Sequence, residues 1–262
     1  MLREKDLENI VDLIRASVNK SLDGDFLEAG VWRGGGSIVA KAAIQAYASN
    51  NKTVFVCDSF EGLPRPEEKW QADKFDTHYL LADLPVSKEE VQRNFQINGA
   101  LDDKVKFFKG FFKESMPTVR QHVNKLSVLR LDGDMYSSTF EVLGELYDKV
   151  EIGGYVIVDD WKLPGAHAAI HDFMDCFGFP KNFIGVGKAD KGFERAGVRW
   201  THFKIYWEKT AEVPQNFRER VYNCPQVYGK KLQYVFYKSY VKRKGQRYQQ
   251  GHQLSAYDEV AT

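Results

Sequence analysis

Asp25-Phe26-Leu27-Glu28-Ala29-Gly30-Val31-Trp32-Arg33-Gly34-Gly35-Gly36 is the stretch on which the fold turns. Four residues with a strand's apolar bias end in the acid Glu28 and its neighbour, a glycine-rich turn follows, and a helical pattern opens near Ser37. Glycine has no Cβ, so such a turn lets a ligand approach the backbone closely. The helix start behind it offers unpaired N–H groups. The spacing is not the G-x-G-x-x-G of dinucleotide-binding turns. An ordinary α/β connection that uses glycine for packing is the plain alternative.

Working outward, strand and helix patterns alternate. Residues 4–19 carry Leu7, Ile10, Val11, Ile14 and Val18 at helical spacing. Strands are expected at Phe26–Ala29, Thr53–Cys57, Val105–Lys109, Leu126–Leu131 and Tyr155–Val158, the last after a turn at Gly153-Gly154. Helices are expected over Ser37–Tyr47, 88–97, 114–122, Ser137–Val150 and 165–177, and two further strands near 183–187 and 200–207. Ser87 with Glu90 three residues on is a capping box for the second of these helices. Alternation of this kind predicts an α/β fold, a mostly parallel sheet with helices on both faces. Its ligand crevice lies at the carboxyl ends of the strands. Residues 60–85 break the pattern, and a loop of that length inside a compact domain is functional or disordered.

A chain of 262 residues that is 43% hydrophobic suits one globular domain with a large core and an appendage. Lys+Arg 37 against Asp+Glu 36 gives a net charge of +1, which argues for neither nucleic acid nor membrane as a partner. No apolar run approaches the ~20 residues of a membrane span. The charged opening Met1-Leu2-Arg3-Glu4-Lys5-Asp6 predicts no secretory signal. Cys57, Cys176 and Cys224, odd in number and scattered, read as reduced thiols of a cytoplasmic enzyme.

Several strands end in acids, and carboxylates on one rim of a sheet face each other. Asp58 closes the second strand, where an acid accepts hydrogen bonds from ribose hydroxyls or merely starts a turn. Asp132, Asp134, Asp159 and Asp160 are denser. Side by side they repel, and a hard divalent cation such as Mg²⁺ or Ca²⁺ removes that cost. A cation there could hold vicinal hydroxyls and acidify one, with a leftover carboxylate as general base. Helix capping by these aspartates is the alternative.

Glu28-Ala29-Gly30-Val31-Trp32-Arg33-Gly34-Gly35, Asp58-Ser59-Phe60-Glu61-Gly62-Leu63-Pro64, Lys109-Gly110-Phe111-Phe112, Leu131-Asp132-Gly133-Asp134-Met135-Tyr136-Ser137-Ser138-Thr139 and Gly153-Gly154-Tyr155-Val156-Ile157-Val158-Asp159-Asp160 together resemble the macrocin O-methyltransferase family, over about residues 5–208. The first of these also resembles the opening motif of class I S-adenosylmethionine-dependent methyltransferases. The resemblance implies a Rossmann-like methyltransferase fold with a seven-stranded sheet, a catalytic domain over 1–210 with a lid at about 60–85, and a homodimer. It implies S-adenosylmethionine and Mg²⁺ as cofactors and a sugar hydroxyl, on a natural product or glycan, as acceptor. By that resemblance Glu28 and Gly30 would line the methionine end of the donor, Asp58 and Ser59 would hold its ribose, and Gly110 and Phe111 would border its adenine. Asp132, Asp159 and Asp160 would bind Mg²⁺, Asp134 would be the general base, and Trp70 is a candidate apolar contact for the acceptor, with packing on its own domain as the alternative.

His167 and His171, four apart on one helix, could share a metal, but no third ligand of matching softness is evident. Family members often carry an arginine near His167, so its substrate contacts are open. Residues 211–262 form a basic, aromatic extension, with nine Lys+Arg against four acids. A docked extension, a dimer contact, an extra lid and a polyanion-binding tail all fit that composition. Two other functions share the sequence pattern: a nicotinamide-dependent oxidoreductase and a non-catalytic polyanion-binding protein.

Overall fold

The computed structural model describes residues 2–48, 51–195 and 198–232. Strands β1 (Asp25–Ala29), β2 (Val54–Asp58), β3 (Val105–Lys109), β4 (Leu126–Leu131), β5 (Val150–Val158), β6 (Ile184–Arg195) and β7 (Val198–Glu208) form one sheet in the order β3-β2-β1-β4-β5-β7-β6. Only β7 runs antiparallel to its neighbours. Helices α1 (Glu4–Asn19), α2 (Gly35–Tyr47) and α3 (Lys88–Ile97) cover one face. Helices α4 (Phe112–His122), α5 (Tyr136–Leu146), α6 (Pro164–Phe177) and the short α7 (Phe217–Val221) cover the other. This is the Rossmann-like, seven-stranded fold that the sequence predicts. Among the described residues no helix is long and apolar enough to cross a membrane.

Alternation along each strand divides the core into two layers. Leu27 and Ala29 of β1 face α4–α6, whereas Phe26 and, beyond it, Glu28 face α1 and α2. The strand order reverses between β1 and β4, so the connections leaving their carboxyl ends turn to opposite faces of the sheet and open a crevice, while the strands stay paired to Ala29 and Leu131. Gly30 occupies that opening with φ +88°, and a Cβ there would lie 1.8 Å from the carbonyl oxygen of Asp132. A side chain at this position would push the two strand ends apart.

The Gly153-Gly154 pair is not a turn ahead of β5 but a bulge within it. Val150 already pairs with Leu126, and Tyr155 pairs with Val128. The extra residues loop out where Gly153 takes φ +84° and donates its N–H to the Lys209 carbonyl. Helix α5 starts one residue earlier than expected and gives way to a 3-10 turn at Tyr147–Lys149.

The loop 60–85 is tied down rather than loose. Trp70, a candidate acceptor contact or else a loop aromatic packed on its own domain, is buried beneath it and packs on Tyr136 and Phe140 with ring centroids 5.5 Å apart. Its indole is large and apolar, and the α5 face is the nearest place that removes it from water. Asp73 of the same loop accepts the backbone N–H groups of Tyr136 and Ser137, both at 2.8 Å.

The start of the C-terminal extension docks on the same face. Phe217 and Val221 enter the core, and Asp172 of α6 accepts the N–H groups of Tyr228 (2.8 Å) and Gly229 (3.0 Å). Cys176 at the end of α6 is joined to Cys224 by a disulfide, which overturns the expectation of three reduced thiols; only Cys57 is free, and it is buried. The chain turn after α7 brings Cys224 back to α6 across a sequence separation of 48, a proximity that spacing alone does not reveal. Most of the basic and aromatic residues of the extension, from position 233 on, lie outside the described residues.

Candidate active site

One cavity of about 700 Å³ opens at the carboxyl ends of β1, β2, β4 and β5. Glu28, Gly30, Asp58, Ser59, Phe111, Asp132, Asp134, Asp159 and Asp160 all line it. Gly110 does not; its N–H donates to the Asp58 carbonyl, which sets the turn that presents Phe111. The size falls within the range of small-molecule sites, about 300–1,000 Å³. Leu2 just ahead of α1, Leu7 in its first turns, Ile38 of α2, Leu63 and Leu84 of the long loop, and Lys162 add walls that the sequence does not announce.

One side of the cavity is preorganised by Asp58. One of its carboxylate oxygens accepts the N–H of Val31 (2.7 Å) and of Trp32 (3.2 Å), and the other accepts that of Phe60 (2.8 Å). It therefore ties the glycine-rich turn to the chain leaving β2. Trp32 adopts φ +47° there, and its indole N–H donates to the Asp83 carbonyl at 3.0 Å, which joins the turn to the long loop. Ser59 donates its hydroxyl to the Gly62 carbonyl at 2.5 Å.

Behind the cavity wall lies a basic group that the sequence reading missed. Arg130 of β4 is 1% exposed and donates to Glu28, to Asp132 (2.9 Å) and to Asp159. Glu28 also accepts from the Ser37 hydroxyl at the start of α2. Lys204 of β7 places its Nζ 2.6 Å from Asp159 and 3.0 Å from Asp6 of α1. The signal was present, since Arg130 is the one charged residue in the mostly apolar strand β4, and a buried charge requires partners. The aspartates are thus not left to repel one another unaided.

The neutralisation is incomplete. Glu28, Asp6, Asp132, Asp134, Asp159 and Asp160 converge, while the basic groups donating into them are Arg130, Lys204 and, at Asp6, Arg3. Burial tends to raise the Asp159 carboxyl, but Arg130 and Lys204 outweigh it and hold Asp159 below the usual range. Asp132, although Arg130 pulls it down, and Asp160, to which no basic group donates among the described residues, are driven well above it, first by burial and then by neighbouring carboxylates. Asp134 is pushed up to about 7 by burial and by the Asp132 charge. It sits at φ +58° and donates its own N–H to Asp160 at 2.9 Å.

Asp132, Asp159 and Asp160 each offer one oxygen, and these three atoms lie within 4.8 Å of one another. All-oxygen donors with excess negative charge fit a hard divalent cation. His167 and His171 take no part. They stack with Trp161 and, for His171, with Phe183 and Tyr228, away from the cavity wall. Burial lowers them to about 3 and about 4, so both are neutral aromatic packing.

The model of the macrocin O-methyltransferase (TylF) family matches residues 1–189. The chain belongs to the macrocin O-methyltransferase family. It is 37% identical over 204 residues to the mycinamicin III 3''-O-methyltransferase of Micromonospora griseorubida, covering 76% of this chain and 77% of that one. It is 38% identical over 203 residues to the demethyldecarbamoylnovobiocin O-methyltransferase of Streptomyces niveus, covering 76% and 74%. Among solved structures, the O-methyltransferase NovP superposes with a TM-score of 0.69 at 36% identity, covering 79% of this chain and 80% of NovP. This methyltransferase carries its rim carboxylates in one cavity, and its docked segment 214–232 lies beyond the part that the family model matches.

Proposed function

We propose that this O-methyltransferase transfers the methyl group of S-adenosylmethionine to a hydroxyl of a sugar carried on a natural product, with the assistance of Mg²⁺. The observation that carries this reading is the convergence of Asp132, Asp159 and Asp160 beside Asp134 in the cavity that opens at the glycine-rich turn. The two relatives named above act on mycinamicin III and on demethyldecarbamoylnovobiocin, and a third, from Streptomyces olivaceus and 34% identical over 204 residues, methylates a rhamnosyl-bearing tetracenomycin C, which supports a sugar acceptor.

The donor brings a methyl group already bonded to a sulfonium leaving group, and a divalent cation at the acid triad would acidify the acceptor hydroxyl. The chain's own residues have to align, deprotonate and exclude water. Glu28 and Gly30 would line the methionine end of the donor, Asp58 and Ser59 would hold its ribose, and Phe111 would border its adenine. Asp132, Asp159 and Asp160 would hold the cation. Asp134, which lines the cavity beside the triad, takes the hydroxyl proton. Leu2, Leu7, Leu63 and Leu84 offer apolar surface to the body that bears the sugar.

Calorimetric titration of S-adenosylhomocysteine into the protein, with and without Mg²⁺, tests the reading. Micromolar binding supports it and directs the search to glycoside acceptors. Absence of binding in both conditions overturns the donor assignment.

A further inference from the structure

Five charged side chains of alternating sign form a row across the α1–α2 face of the sheet. They are Glu28 of β1, Arg130 of β4, Asp159 at the end of β5, Lys204 of β7 and Asp6 of α1. Glu28 and Arg130 are direct register partners in the β1–β4 ladder, so their side chains leave the same face side by side. One guanidinium nitrogen of Arg130 serves both Glu28 and Asp132, and the other serves Asp159. Glu28, Asp132 and Asp159 line the cavity, whereas Arg130 stands behind them.

A buried ion pair adds little stability over apolar side chains of the same volume, because desolvation offsets the attraction. What a guanidinium supplies is geometry: a rigid planar fork that fixes two acids at once, which a lysine cannot do. Here the fork engages one oxygen each of Asp132 and Asp159, both of which line the cavity. The same group holds Glu28 on the donor side. Asp160 is outside its reach and is held instead by the Asp134 N–H.

We propose that Arg130 is a positioning residue that joins the donor floor at Glu28 to the acid triad, so that one guanidinium sets the geometry of both sites. This rests on the methyltransferase reading above. The substitution Arg130→Lys keeps the charge and loses the fork. Calorimetry with Mn²⁺ as the metal probe should show affinity weakened by about 10- to 100-fold, the usual effect of removing a partner that orients metal ligands. Titration with S-adenosylhomocysteine in the absence of metal should also weaken, by about 3-fold or more. Asp160→Asn, which Arg130 does not touch, should weaken Mn²⁺ alone.

A folded Arg130→Lys protein with wild-type affinity for either probe overturns the proposal. If the wild-type protein binds neither probe, the methyltransferase reading falls with it; wild-type binding of both, unchanged in the variant, sinks only the role of Arg130. Should the variant not fold, the wild-type protein still decides. With arginine side chains labelled with ¹⁵N, the slowly exchanging buried guanidinium should shift on adding Mg²⁺ and again on adding S-adenosylhomocysteine. A signal that answers to only one of them, or to neither, overturns the coupling.

Discussion

The carboxylate of Asp73 accepts the backbone N–H of Tyr136 at 2.8 Å, across 63 positions of sequence. With the neighbouring bond to Ser137 it caps α5 from outside the helix, two residues after Asp134. The loop 60–85 is thereby fastened to the segment that carries the candidate base. Replacing Asp73 by Ala should cost about 1–2 kcal/mol, as the loss of a helix cap does. It should also raise hydrogen exchange of the Tyr136 and Ser137 amides. Unchanged melting and unchanged exchange would show that the cap does not hold the loop.

Gly30 tolerates no side chain. Its φ of +88° and the 1.8 Å approach of the Asp132 carbonyl to a built Cβ act together. Gly30→Ala is expected to destabilise by at least about 3 kcal/mol, read as the midpoint of urea unfolding. Gly35, whose Cβ would meet nothing within 4 Å, is the control, and Gly35→Ala should be nearly neutral.

Asp134→Asn should lower turnover by about 10²–10⁴-fold, the range of a lost general base. Asn accepts the left-handed backbone that Asp134 adopts, and the N–H to Asp160 is retained, so binding of S-adenosylhomocysteine should stay within about 2-fold. Joint loss of turnover and binding would assign Asp134 a structural role instead.

Reduction of Cys176–Cys224 opens a closed loop with a sequence separation of 48, worth about 4 kcal/mol on the chain-entropy scale. Dithiothreitol and Cys224→Ser should lower the melting temperature to the same degree, and reductant should add nothing to the variant. A reductant effect that persists in Cys224→Ser would place the sensitive thiol elsewhere.

His167 and His171 make the fold acid-sensitive. Their folded values, about 3 and about 4, lie below the ~6.5 of an unfolded histidine, so the unfolded chain takes up protons first. The stability they contribute is complete above pH 6.5 and is lost as pH falls toward 4. Carboxylates titrate in the same window, so the difference between proteins is the readout. His171→Phe should flatten the decline in melting temperature between pH 6.5 and 4.5, and an identical slope would remove the histidines from the account.

What the sequence determined by itself was local and periodic. The β1 turn with Gly30 and the Gly34–Gly36 cluster, the alternation of strand and helix, and the acids closing β1, β2, β4 and β5 all follow from chain geometry that repeats every two or 3.6 residues. These were enough to predict the parallel sheet and to place the acids Glu28, Asp58, Asp132, Asp134, Asp159 and Asp160, with Gly30, around one crevice. The tertiary structure alone decided which partners meet across distance. Arg130 and Lys204 reach the acids because β4 and β7 flank β5, Asp73 reaches α5 because Trp70 is buried beneath the loop, and Cys224 reaches Cys176 because α7 packs on the α5–α6 face. Each of these contacts is fixed by strand order and by the burial of apolar groups elsewhere in the chain, and neither quantity is carried by the spacing of the residues that finally touch.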